Sequence, residues 1–132
     1  MYTARQKELL ELFSMGRIAK LFGTRLSFDE QGHAHVDLPY NPSLDQPCGI
    51  HGGVIATILD TAGWFAAAAQ SKTILITTSE FKIHFLNPAQ QCDLHAEGWV
   101  MKSGKRISIA EMRVSKSNSE VIAMGTGTFV VI

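Results

Sequence analysis

The sequence predicts an α+β fold: one long central helix laid against an antiparallel sheet, with a helical lead-in over residues 1–22 and the whole of 1–132 in a single domain. Three observations lead there. Cys48 to Gln70 opens with His51-Gly52-Gly53 and then runs apolar for over four turns of about 3.6 residues. Upstream, residues 24–39 alternate between apolar and polar positions as a hairpin does. Downstream, residues 73–131 are dense in Thr, Ile, Val and Phe and are punctuated by short polar turns.

The lead-in begins with Thr3 and Gln6, spaced as a capping box. Leu9, Leu10, Leu12 and Phe13 form an apolar stripe. Gly16 interrupts it, Ile18, Leu21 and Phe22 resume it, and Gly23 stands where a C-cap would end the helix. In the hairpin, Thr24, Leu26 and Phe28 alternate, Asp29-Glu30-Gln31-Gly32 turn, and His35-Val36-Asp37-Leu38 return. His33 and His35 share one face of that strand. Two histidines without a third ligand are a weak metal signal, with Asp37 and Asp45 as unplaced further ligands, so no metal is expected.

Residues 40–50, YNPSLDQPCGI, form a turn-rich loop that delivers the chain to the central helix. In that helix Val54, Ile58, Phe65 and Ala69 recur at helical spacing, as do Ile55, Leu59, Ala62 and Ala66. Together they describe a helix buried on most sides, and one too short and Ala-rich for a convincing membrane span. Beyond it, strands are expected over 73–87, 92–102, 107–115 and 121–131. In the first, plain alternation puts Thr77, Ser79, Phe81, Ile83 and Phe85 on one face and Thr78, Glu80, Lys82 and His84 on the other. Lys102, Lys105 and Arg106 cluster at a hairpin turn, as a solvated turn or as a contact for phosphates. Gly125 and Gly127 mark a bend or a close approach in the last strand.

Asp60 is the anomaly of the central helix. A carboxylate among apolar neighbours must be paired, hydrogen-bonded or protonated. Ala56 and Gly63, one turn away, leave room for a ligand or another backbone. At the helix start, the first N–H groups have no internal partner and carry partial positive charge. With glycine at 52 and 53, that end can receive a polarised carbonyl oxygen. Gly52 and Asp60 are eight residues apart, roughly 12 Å along a helix at about 1.5 Å per residue. The two can act on one substrate only if they come from different subunits, which calls for a dimer at least.

HGGVIATILDTAGWFA resembles the signature of the hotdog-fold acyl-CoA thioesterases, in particular the PaaI-like group. There a His-Gly-Gly opens the central helix and an acidic residue follows the His by nine positions, as Asp60 follows His51. The run Phe81 to Ala89 resembles the family's long strand ending in an x-Pro-Ala turn, and the likeness covers about residues 15–132. The resemblance implies a hotdog fold and hydrolysis of an acyl-CoA thioester. Gly52 N–H would polarise the carbonyl and Gly53 would keep the backbone approachable. His51 would sit beside the sulfur, and Asp60 of a partner chain would act as general base or nucleophile. A Ser or Thr near the start of the strand approaches that carboxylate in the family; Thr78 takes this place, or Thr77 if a bulge swaps the faces. A polar side chain before the His is Asp45 by count, or Gln46 if the loop is one residue shorter, and the string Gln-Pro-x-Gly-x-His favours Gln46. Trp64 and the basic Lys105 and Arg106 complete the implied substrate contacts. No cofactor is implied, since coenzyme A is part of the substrate, and a homotetramer is the family expectation.

Lys plus Arg equals Asp plus Glu at 12 each, so nothing points to nucleic acid or to an electrostatic membrane anchor. Cys48 and Cys92 form no disulfide framework, and no leader pattern is visible, so a cytoplasmic location is expected. Because fold does not fix function, a non-catalytic acyl-CoA or lipid-binding module is the alternative.

Overall fold

The structure is a computed structural model describing residues 1–132. Helix α1 (Ala4–Met15) starts at a reciprocal capping box: Thr3 Oγ1 accepts from Gln6 N–H at 3.1 Å and Gln6 Oε1 accepts from Thr3 N–H at 2.9 Å. Gly16 is extended and splits the lead-in, so that α2 (Arg17–Phe22) is a separate short helix. Gly23 ends it in the left-handed region (φ 74°), its N–H returning to the Ala19 carbonyl.

Strands β1 (Arg25–Phe28) and β2 (Ala34–Leu38) form the expected hairpin. The loop after it holds more order than its composition suggests: a single 3₁₀ turn (Pro42–Leu44) and a small ladder between β3 (Asp45–Gln46) and β4 (Gly49–Ile50). The central helix α3 (Gly52–Gln70) follows, then β5 (Ile76–Phe85), β6 (Leu94–Ser103), β7 (Ile107–Lys116) and β8 (Val121–Val131). The main sheet is antiparallel throughout, in the order β1-β2-β6-β7-β8-β5.

Helix α3 is long and apolar enough to cross a membrane, with mean hydropathy 1.3, but more than half of that stretch (56%) is buried within the domain. It packs across β2, β5, β6, β7 and β8. Val54, Ile55, Ile58, Leu59, Ala62 and Ala66 meet the inward side chains of the sheet, among them Val36, Met112, Val114 and Phe129. The helix lies close because Gly98 has no side chain. A Cβ there would stand 2.5 Å from the Ala62 carbonyl oxygen, so helix backbone and strand backbone touch directly.

One expectation needs correction. Plain alternation in β5 separates Thr78 from Phe81, Ile83 and Phe85. The strand instead bulges between Thr78 and Glu80: Thr78 opposes Phe129, and Phe81, Ile83 and Phe85 oppose Gly127, Gly125 and Ala123. All four partners belong to the buried face of β8. The extra residue shifts the phase of the alternation and turns Thr78 toward α3 together with the three apolar side chains.

Candidate active site

The first turn of α3 presents one free donor. His51 is the N-cap, and its Nδ1 accepts from Gly53 N–H at 2.8 Å. The Gly53 donor is therefore occupied, and in the neutral ring the proton lies on Nε2. Gly53 must be glycine for this cap, because a Cβ would stand 2.9 Å from that nitrogen. Gly52 N–H makes no hydrogen bond within the chain. It belongs to a groove of about 320 Å³ bordered by Gln46, Ile50, Ile55, Phe85 and Pro88. Cys48 is exposed at its rim.

The loop settles which polar side chain borders this groove. Gln46 lines it. Asp45 turns to Tyr40, accepting from its hydroxyl at 2.6 Å, a bond that raises the tyrosine's pKa. Its other carboxylate oxygen is buried without a partner.

Asp60 lies about two turns further along α3. Thr57 and Thr61 flank it, but their hydroxyls donate to carbonyls one turn back, Gly53 and Thr57, at 2.8 and 2.7 Å. The side-chain partner of Asp60 is Thr78, whose Oγ1 donates to Oδ1 at 2.8 Å. Thr77 is exposed. Burial raises the Asp60 pKa above the ordinary carboxylate value, and the Thr78 bond offsets part of that rise. Asp60 borders a second, mainly apolar cavity of about 220 Å³ between the lead-in helices and α3, walled by Leu12, Phe13, Ile18, Phe22, Trp64 and Phe65. Trp64 is held there by its indole N–H, which donates to the Ile76 carbonyl at 3.1 Å.

Gly52 and Asp60 thus open onto two different cavities of one chain. Lys105 stands at the other end of α3, beside Gln70–Thr73, roughly 27 Å from Gly52 at about 1.5 Å per residue. Lys105 and Arg106 are exposed. His33 and His35 lie on the sheet face away from α3, where they meet Asp29 and Glu97. Neither acid was a ligand candidate in the sequence, because Glu97 joins the pair only through the β2–β6 register. Asp45 is not among them, and Asp37 reaches His95 instead.

A sequence model of the thioesterase superfamily matches residues 49–123. A protein of Saccharolobus solfataricus named as an esterase is 31% identical over 125 residues, covering 94% of this chain and 83% of its own length. Among solved structures, a Bacillus halodurans protein crystallised with CoA superposes with a TM-score of 0.82 at 28% identity, over 100% of this chain and 96% of that one. The PaaI protein of the E. coli phenylacetic acid degradation operon shares the fold with a TM-score of 0.87 at 21% identity, over 96% of this chain and 91% of its own.

Proposed function

The chain belongs to the thioesterase superfamily and shares the hotdog fold of the PaaI protein, and from that premise we propose that it hydrolyses an acyl-CoA thioester in a site shared by two subunits. The observation that carries this reading is the separation of the free Gly52 donor from the Thr78-held Asp60 carboxylate, in two cavities of one chain. The edge strand β5 supports pairing with a second copy. It is ten residues long, has a neighbour on one side only, and exposes Phe81 and Phe85. A long apolar edge of this kind is normally covered by another chain. A tetramer would be a dimer of such dimers.

In this reading the thioester oxygen accepts from Gly52 N–H, and Gln46 borders the same carbonyl. Asp60 of the partner subunit takes a proton from water, and the hydroxide adds to the carbonyl carbon. The negative charge that develops on oxygen is stabilised by Gly52 N–H at the positive end of α3. Collapse of the tetrahedral intermediate breaks the C–S bond; the thiolate takes the proton that Asp60 gained from water, while His51 Nε2–H donates a hydrogen bond to the departing sulfur. A raised pKa suits Asp60 to this work, since a base near the working pH transfers protons best. Asp60 as nucleophile, through a mixed anhydride, is the other route; oxygen-18 entering Asp60 in a single turnover distinguishes it. The cavity beside Asp60 fits the acyl group, and its Phe, Trp and Leu walls suit an aromatic or medium apolar chain. Lys105 and Arg106 are proposed to meet the nucleotide phosphates of a substrate bound chiefly by the partner subunit.

The test is thiol release from a panel of aryl- and alkyl-CoA thioesters. D60N is expected to lose about 10²-fold or more, the usual size of an acid–base contribution. Tight acyl-CoA binding without thiol release by the wild type would mean a binding module instead.

A further inference from the structure

We propose that Asp29, His35 and Glu97, with His33 beside them, bind a divalent transition-metal ion of the zinc class on the sheet face away from α3. The residues come from the β1–β2 turn, β2 and β6. His35 and Glu97 are cross-strand partners, and each alternates with residues buried against α3, Ala34 and Val36 on one strand and Ala96 and Gly98 on the other. One donor atom from each of Asp29, His35 and Glu97 falls within 4.8 Å of the others. His35 Nε2 is 2.7 Å from Asp29 Oδ2. His33 Nδ1 is 2.7 Å from Glu97 Oε2 and 3.9 Å from Asp29 Oδ2. Ligands about 2.0–2.1 Å from a tetrahedral ion stand about 3.3–3.4 Å apart. Small side-chain movements close the set, and imidazole with carboxylate suits zinc and its neighbours.

Each of the three principal ligands is anchored by one atom and aimed by the other. Asp29 Oδ1 accepts the backbone N–H groups of Gln31 and His33 at 2.9 Å, leaving Oδ2 to point at His35. Glu97 Oε1 accepts from Arg113 at 2.9 Å, and that guanidinium lies over the Trp99 ring. His35 Nδ1 is 2.9 Å from His95 Nε2, and His95 Nδ1 is 2.7 Å from Asp37. Outer partners that fix a ligand's orientation in this way are the usual second layer of a metal site.

Proton counting favours a cation. The chain Asp29–His35–His95–Asp37 contains three short polar contacts. Two neutral imidazoles carry only two N–H groups between them. If each donates to its carboxylate, the remaining nitrogens face each other with lone pairs. With an ion on His35 Nε2, His35 Nδ1–H donates to His95 and His95 Nδ1–H donates to Asp37, and no contact lacks a proton. Asp29, Glu97 and Asp37 against Arg113 leave two negative charges to meet a dication. Side-chain exposures of 33, 19 and 18% for Asp29, His35 and Glu97 leave open positions for water.

The experiment is calorimetric titration of chelator-treated, tag-free protein with zinc chloride, alongside the absorption spectrum with cobalt(II). One ion per chain is expected, with a visible cobalt band of low-symmetry N/O coordination. H35Q and E97Q are each expected to weaken zinc at least about tenfold, the low end of what even outer-layer changes cost. C92S and H84Q, away from the cluster, should leave it unchanged. Circular dichroism confirms that the variants are folded. Absence of saturable zinc binding by the wild type would overturn the proposal and leave a third proton as the occupant of the chain. So would an affinity unaltered in both H35Q and E97Q.

Discussion

At the scale of single residues, Asp60 carries a conflict between folding and chemistry. Burial disfavours its charged form, and the Thr78 hydroxyl restores part of the loss. A carboxyl whose folded pKa is raised holds its proton longer in the native than in the unfolded chain. Stability therefore falls as pH rises from the ordinary carboxylate value through the raised one. D60N is thus expected to melt at a higher temperature than wild type at neutral pH while losing activity, which thermal unfolding beside the thiol assay checks. In T78V the carboxylate loses its donor, so the acidic limb of kcat/KM should move to higher pH than in wild type. An unmoved limb would mean that Thr78 does not tune Asp60. The carboxylate was legible in the sequence as the one charge in an apolar helix. Its pairing with Thr78 was reached through family resemblance, because the alternation alone pointed Thr78 outward. His51 shows a similar limit: the sequence places it at the helix start, but only the bond to Gly53 assigns its free proton to Nε2.

At the scale of elements, strong periodicity was the reliable guide. The spacing of Val54, Ile58 and Phe65 with Ile55, Leu59 and Ala62 places α3, and Thr3 with Gln6 places the start of α1. Features set by tertiary pairing were not legible. The β5 bulge depends on how β8 is met, and the β3–β4 ladder is too short to leave a pattern. The full set proposed to bind metal was not legible for the same reason: the sequence offered the His33–His35 pair alone, and Glu97 joins His35 and Asp29 only after β2 pairs with β6. The contact between Gly98 and α3 gives an element-scale prediction. G98A puts a methyl against the Ala62 carbonyl, with backbone on both sides and nothing flexible to yield. It should cost about 1–3 kcal/mol or more, read by urea unfolding, with far-UV circular dichroism retaining the helix signal.

At the scale of the whole molecule, the hotdog arrangement places the two halves of the proposed site at different points along one rigid helix. A single subunit holds both an unused donor and an unused base, and a two-fold axis would bring each to its counterpart. The residues themselves allow a clean division of this claim. Gly52 is the first helical position, where proline is well tolerated, and His51 before it has φ −59° and ψ 134°, a conformation compatible with a following proline. G52P therefore removes the donor N–H without breaking the helix and should lower kcat by about 10²–10³. The most direct measurement is to unfold and refold G52P and D60N together at equal amounts and assay thiol release. In a mixed two-fold dimer, Gly52 of the D60N chain meets Asp60 of the G52P chain, so one site of two is whole, and about a quarter of wild-type activity should return. No activity above the separate variants, with mixed dimers demonstrably formed, would contradict a site shared between subunits.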